Sequence, residues 1–357
     1  MSKERISKLQ KYIAKENFDG FIVTRRESVQ YLCGFTGSAG IMIIQPKRAH
    51  FMSDFRYKDQ SKKQVKGARV IITEREIIAS LNKMEQFHGK NLRYGYEADY
   101  LLCNDLSRLE KSLPGAILIK TVDAVEQFSI IKDKNEIEFT QKAIDISDLA
   151  FERILGYIKP GLREIEIAAE LEYQMKMLGS DKPAFDTIVA SGYRSALPHG
   201  VASTKKIARG DFITFDFGAT YKGYVSDMTR TVVVGKANTK QKKIYSIVLR
   251  AQKAGIRKIK HNVRCAAVDK ASRNIIDNAG YKKQFGHGTG HGLGLFVHSQ
   301  PRLNQISEDI LKKGMLVTVE PGIYLPGWGG VRIEDDVLVT AAGGRILNNA
   351  PKNLLEL

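Results

Sequence analysis

Residues 211–234 read DFITFDFGATYKGYVSDMTRTVVV. Two alternating runs of apolar and polar residues flank Tyr221-Lys222-Gly223, a pattern that predicts a β-hairpin. Folding about that centre sets Asp216 across from Asp227 on one face. Carboxylates placed opposite one another repel. A slipped register, with one aspartate buried and the other exposed, would relieve them. So would a bound cation, which turns the repulsion into coordination.

A second acidic pair repeats the pattern. MLVTVEPGIY (315–324) ends a strand at Glu320, where Pro321-Gly322 interrupts it. GGVRIEDDVLVT (329–340) forms another strand, whose period of two puts Arg332 and Glu334 on one face and Val331 and Ile333 on the other. A glutamate inside an apolar strand is either satisfied by a partner or functional. A third stretch, GHGTGHGLGLFVHS (286–299), holds His287, His291 and His298 among only seven histidines in the chain. Its glycines would each cost about 1 kcal/mol in a helix interior. The segment is therefore expected to be bent or extended, with a backbone that approaches something closely. Glycines beside His291 would let it approach a metal cluster. Four carboxylates and an imidazole make a hard, oxygen-rich donor set suited to two divalent ions such as Mn, Co, Fe or Zn. Two such ions, about 3.5–4 Å apart, share a hydroxide and polarise a carbonyl together.

Composition narrows the setting. The 357 residues are 43% hydrophobic and 27% charged, which fits a soluble globular protein of about two domains. No apolar run reaches the ~20 residues of a membrane span. The N-terminus MSKERISKLQKYIAKENFDG lacks the apolar core of a secretory signal. Three scattered cysteines, Cys33, Cys103 and Cys265, point to a reducing, cytoplasmic setting. Lys and Arg number 56 against 39 acids, giving +17. These cations are spread in short groups such as KKQVK (62–66), TKQKK (239–243) and RKIK (257–260), with no nucleic-acid-binding motif beside them. A basic surface is expected, without a nucleic-acid partner.

The overall class is α+β. In residues 1–125 helical patterns (3–16, 28–32, 75–86, 99–111) alternate with strand patterns in FDGFIVT, IMIIQ, AHFMS, RVIIT, LRYGYE and AILIK, which makes an α/β domain. GFTGSAG (34–40) lacks the Lys-Ser/Thr ending of a phosphate-binding loop. Residues 130–357 differ. A long amphipathic helix is stopped by Pro160-Gly161, and a helix over 163–178 follows. Hairpins over 184–234, helices over 239–260 and 264–279, and further hairpins complete the chain, with antiparallel sheets expected. His50, His88 and His261 lie among charged residues and are expected at the surface. Tyr324 is expected to serve packing.

Taken in order, SALPHGVAS (195–203), TFDFGATYKGYVSDMTRTVVVG, GHGTGHGLGLFVHS, MLVTVEPGIY and GGVRIEDDVLV resemble the motifs of the creatinase/aminopeptidase P/prolidase metallopeptidases. YLCGFTGSAG (31–40) and FMSDFRY (51–57) are similar to the N-terminal domain of Xaa-Pro aminopeptidases and Xaa-Pro dipeptidases. The resemblance implies a creatinase-like α/β domain followed by a pseudo-symmetric "pita-bread" catalytic domain. It assigns Asp216, Asp227, His291, Glu320 and Glu334 to a site for two divalent metal ions per subunit, Mn foremost, with Co, Zn or Fe as alternatives. His199 and His298 match histidines that contact substrate and stabilise the transition state, Glu320 also shuttles a proton, and Arg332 holds the site or meets substrate. His287 takes a substrate-side position. Phe296 and Ser299 depart from acidic residues frequent in the family, which bears on substrate preference.

The implied activity is hydrolysis of the bond before proline through a metal-bridging hydroxide, by an aminopeptidase or a dipeptidase. GFTGSAG and SDFRY lean towards the aminopeptidase. A proline-containing peptide is the expected substrate, a homodimer the expected assembly, and the 34–40 loop a limit on substrate length at a partner's active site. The competing reading is a non-catalytic pita-bread protein that binds through its basic surface.

Overall fold

The computed structural model describes residues 2–74 and 76–357, which fall into two units, 1–129 and 130–357. In the first, α1 (Ser2–Lys15) precedes β1 (Gly20–Val23), α2 (Arg26–Cys33), β2 (Ile41–Gln45), β3 (Arg48–Asp54), α3 (Lys58–Gln64) and β4 (Arg69–Thr73). The short α4 (Ile77–Ser80), β5 (Arg93–Glu97), α5 (Cys103–Ser112), β6 (Ile117–Thr121) and α6 (Glu126–Ser129) complete it. The helical pattern expected over 75–86 begins at Arg75, outside the described residues; beyond it the chain forms only α4 and two short 3-10 turns.

The strands make one mixed sheet in the order β4-β3-β2-β1-β5-β6. β1–β2 and β2–β3 pair antiparallel, whereas β3–β4, β1–β5 and β5–β6 pair parallel. His50 departs from its surface expectation. It is buried on β3, with its ring edge-on to Phe87. The charges of Lys47 and Arg48 misled because they stand at the exposed start of β3, whereas His50 lies further along, where the strand enters the core. His88 is half-buried and His261 exposed. In the 34–40 loop, Phe35 is buried against Phe51 and Tyr57.

The second unit repeats one motif. α7 (Lys134–Leu155) starts at a capping box in which Asp133 accepts from the Glu136 amide and Glu136 returns a bond to the Asp133 amide. It packs with α8 (Glu164–Met177) over a core of Phe151, Ile167, Leu171, Phe215 and Phe217. β7 (Ile188–Ser191), β8 (Phe212–Phe217), β9 (Thr220–Tyr221), β10 (Tyr224–Val225) and β11 (Met228–Val233) follow. The next helix pair is α9 (Thr239–Lys258) and α10 (Cys265–Asn278). It leads to β12 (Gly290–Gly292), β13 (Ser299–Leu303), β14 (Leu316–Val319), β15 (Gly322–Leu325), β16 (Gly329–Arg332), β17 (Asp335–Val339) and β18 (Gly344–Ile346).

The two sheets have orders β11-β8-β7 and β13-β12-β14-β17-β18, and every pairing in them is antiparallel. Each helix pair is thus followed by a long hairpin, broken midway, whose inner strands join a sheet while its tip forms a separate two-stranded ladder. In the first hairpin β8 pairs β11 and β9 pairs β10; in the second β14 pairs β17 and β15 pairs β16. The acids sit at the breaks. Asp216 lies near the end of β8 and Asp227 just before β11, while Glu320 follows β14 and Glu334 precedes β17.

Two sequence expectations change here. The first hairpin turns at Lys222-Gly223, both at positive φ, which the flanking right-handed strand twist favours. Asp216 therefore pairs with Thr229, and not with Asp227. Asp227 reaches the same face two residues further along, so the carboxylates are diagonal neighbours. Residues 329–340 also form two strands, split at Ile333-Glu334, because the two ends pair with different ladders.

The split is held from behind by Arg230, which is only 1% exposed. Its guanidinium pairs with Asp335 at 2.8 Å and donates to the carbonyls of Thr229, Glu334, Ala350 and Pro351. Removing one member of a buried ion pair strands the other charge and costs about 3–5 kcal/mol. Asp335→Ala should lower the unfolding free energy by about that amount, read from the urea midpoint. A loss below about 1 kcal/mol would show that Arg230 does not secure this segment.

Candidate metal centre and active site

The breaks in the two hairpins place their acids around one cleft of about 770 Å³. Asp216, Asp227, Glu320 and Glu334 line it together with His199, His287, His291, His298 and Arg332. Every site residue singled out from the sequence thus comes to the same cavity. Ligand atoms of Asp227, His291 and Glu334 lie within 4.8 Å of one another. His291 Nε2 is 3.6 Å from Asp227 Oδ2 and 3.5 Å from Glu320 Oε1. His291 Nδ1 faces the Gly292 carbonyl at 3.1 Å, so it carries the proton and leaves the Nε2 lone pair for the cavity.

The glycines around His291 serve a purpose other than the one expected. A Cβ at Gly290 would collide with the Thr318 carbonyl, and one at Gly292 with the Gln300 carbonyl. These positions are kept bare by neighbouring strands, not by the acidic cluster. The same stretch is gripped by α10, where fully buried Asp269 accepts from the amide and hydroxyl of Thr289 at 3.0 and 2.9 Å. Arg273, paired with Asp269, donates to the carbonyls of Phe285 and His287.

Electrostatics dominate the cluster. Burial first, then the Glu334 charge, pushes both Asp227 and Glu320 well above the ordinary carboxylate range. Burial and then Asp216 push Glu334 up to about 8. Burial, followed by neighbouring His298, lowers His291 to about 3, so its imidazole is neutral. Arg332 is the cation that touches the acids. It pairs with Asp216 and donates to Thr229 Oγ1 at 3.0 Å, and that hydroxyl in turn donates to Glu334 at 2.7 Å. Asp216 Oδ1 is buried without a hydrogen-bond partner among the described residues.

Several acids forced together, an unpartnered carboxylate oxygen and a free imidazole nitrogen are what divalent cations satisfy. The residues fit a metal centre. Asp216, Asp227, His291, Glu320 and Glu334 are the groups able to hold it.

Tyr324 belongs to the site, contrary to its packing assignment. Its hydroxyl accepts from Arg332 Nη1 at 2.8 Å and meets His287 Nε2 at 2.9 Å. With His287 Nδ1 facing the Gly288 carbonyl at 2.8 Å, the tyrosine proton goes to Nε2. Burial, with Arg332 next, lowers His287 to about 4, which keeps it the neutral acceptor. His287 is thus tied into the scaffold that orients Arg332. A sequence signal existed, since the period of two puts Tyr324 on the face of Glu320. Arg302, opposite His291 on β13, also lines the cleft and makes no ion pair among the described residues.

Comparison with known proteins gives the same picture. Residues 138–341 match the profile of metallopeptidase family M24, and residues 5–129 that of the creatinase/prolidase N-terminal domain. The Xaa-Pro dipeptidase of Pyrococcus horikoshii is 39% identical, with 99% of each chain covered. The solved structure of an Xaa-Pro dipeptidase from Bacillus anthracis superimposes with a TM-score of 0.95 at 44% identity, covering all of both chains. That of an X-Pro aminopeptidase from Thermotoga maritima gives 0.89 at 37% identity, covering 96% of this chain and 98% of the other. No described helix is long and apolar enough to cross a membrane.

The raised Glu334 carboxyl carries a stability consequence. A group held above its ordinary value of 4.5 contributes stability fully below that pH, and the contribution is lost as pH rises towards about 8. Without metal, Glu334→Gln should soften the fall in melting temperature between pH 5 and pH 8 while abolishing full metal loading. Equal slopes for variant and parent, or two metals retained by the variant, would remove Glu334 from the centre.

Proposed function

The chain belongs to metallopeptidase family M24, whose members use divalent metals, and from that premise we infer that it hydrolyses the peptide bond before proline, with Xaa-Pro dipeptides preferred. It is a peptidase rather than a non-catalytic binding protein. The observation that carries the reading is the buried cluster of Asp216, Asp227, His291, Glu320 and Glu334 facing one cleft with His199 and His298. The names of relatives at 39% and 44% identity, both Xaa-Pro dipeptidases, support the shorter substrate over the aminopeptidase alternative.

Two divalent ions held by the five ligands, Mn foremost, supply Lewis acidity and an activated water when bound. The protein's own side chains do the rest. His298 and His199 project into the cleft as hydrogen-bond donors for the charge that develops on the scissile carbonyl oxygen. Burial lowers His298, then Arg302 lowers it further, so a neutral ring makes that bond. The nitrogen of a peptidyl proline carries no hydrogen and must gain a proton to leave; the Glu320 carboxyl delivers it. Arg332 orients Asp216 and, through Thr229, Glu334, while His287 and Tyr324 fix Arg332. Arg302, without an ion pair among the described residues, suits the free carboxylate of a dipeptide, which an Xaa-Pro-Yaa substrate lacks at that place.

Residues 130–357 form the catalytic domain in this reading, and the N-terminal domain serves a homodimer in which the 34–40 loop limits substrate length at the partner's cleft. Three free cysteines fit a cytoplasmic protein.

Protein stripped and reloaded with Mn should hydrolyse Xaa-Pro, with kcat/KM exceeding that for Xaa-Pro-Yaa by roughly tenfold or more, the scale of one charge-assisted contact. Equal rates on both substrates would transfer the assignment to the aminopeptidase. No metal-dependent cleavage of either would end the reading.

A further inference from the structure

Glu164 stands apart from the acids of the cleft. It opens α8, its side chain is fully buried, and it is not among the cleft-lining residues. Buried carboxylates are retained only where their lone pairs are filled, and here they are filled from two separate pieces of chain. Oε1 accepts from the amide and hydroxyl of Ser191 at 2.7 and 2.8 Å. Oε2 accepts from the amide and hydroxyl of Ser203 at 3.1 and 2.5 Å, and from Arg194 Nε at 2.9 Å.

Ser191 ends β7, and Ser203 lies beyond the loop that carries His199. One carboxylate therefore ties together both ends of residues 191–203. Arg194 completes the clamp by donating from Nη2 to the Val201 carbonyl at 2.7 Å. On the cleft side, Arg332 Nη1 donates to the Pro198 carbonyl at 3.2 Å. Pro198, His199 and Val201 line one wall of the cleft between these two anchors. Leu197 and His199 are exposed, whereas Ser195 and Ala196 are buried before them and the Gly330 amide donates to Ser195 Oγ at 2.8 Å, so the Glu164 bonds act where the loop leaves that packing.

We propose that Glu164 is a positioning residue that fixes the His199 wall of the cleft, so that substrate binding or turnover depends on a carboxylate that never meets substrate. The inference rests on the peptidase reading for its kinetic consequence and on the hydrogen bonds alone for its structural one. Chemistry at the centre is left intact by it, because Glu164 touches no metal-ligating residue. A glutamine has nearly the same shape, but one oxygen becomes an NH₂ that confronts donors from Ser191, or from Ser203 and Arg194.

The test compares full-length, Mn-loaded E164Q with the parent by three readouts. Metal content should be unchanged. Amide hydrogen exchange over residues 191–203 should speed up, led by Ser191 and Ser203. kcat/KM on Xaa-Pro should fall by roughly tenfold or more, the scale of a lost hydrogen bond to a charged group. The loss should appear in whichever of kcat or KM His199→Ala changes, and adding E164Q to His199→Ala should cost little more, since residues acting through one element are not additive. Should E164Q fail to fold, Ser203→Ala removes a single donor and should show the same pattern at smaller amplitude. Unchanged exchange and kinetics, or losses that multiply in the double variant, would overturn the proposal. A parent inactive on Xaa-Pro would refute the peptidase reading, while the exchange comparison would still judge the clamp.

Discussion

Mutual repulsion among carboxylates in a buried cleft is the constraint around which the catalytic unit is arranged. Asp227 and Glu334 are 4% and 2% exposed, and Asp216 and Glu320 stand beside them. No spontaneous packing would gather these groups, because each lost hydration shell and each like charge opposes it. The gathering is imposed by backbone. Two hairpins, each welded to its own helix pair, break at corresponding places and present one acid on either side of the break. Apolar residues on the opposite faces, such as Val331 and Ile333 against the α9 and α10 core, set which way those acids point.

That imposition explains the cations placed close by. Arg332 reaches Asp216 directly, and Arg230 lies behind Glu334, holding its carbonyl and the Asp335 carboxylate. Neither neutralises the cluster. Arg332 is itself buried, and burial works against its charge, yet Tyr324 and the acids around it hold it protonated. A site built this way is poor for the metal-free protein and good for one that binds cations. The stability given up in folding is recovered on loading, because the bound ions favour the folded chain by mass action.

Much of this was legible in the amino-acid order. Alternation around Tyr221-Lys222-Gly223 gave the hairpin, and acids in apolar strands pointed to the carboxylates that line the cleft, since both follow from local periodicity. The M24 relationship and the mixed architecture followed from the ordered motifs. What local pattern cannot fix is where long strands break and how their register settles. Asp216 faces Thr229 because the turn takes Lys222 and Gly223 into positive φ, a choice one residue away from the expected centre. Glu164 and Asp269 carry no local signal because groups they hold are remote in sequence; Ser203 is 39 residues from Glu164, and Thr289 is 20 from Asp269. His50 misled because its charged neighbours in sequence stand outside the core that it enters.

Repulsion and burial keep protons on these acids until metal replaces them. Calorimetric titration of Mn into metal-free protein at pH 7, in buffers of differing ionisation enthalpy, measures this exchange directly. Net proton release on binding is expected, with an affinity that rises as pH increases from about 6 to about 8, because ligands must lose their protons to coordinate. Binding with no proton released, and an affinity flat over that range, would mean that the carboxylates are already ionised and that repulsion is not the constraint on which the site is built.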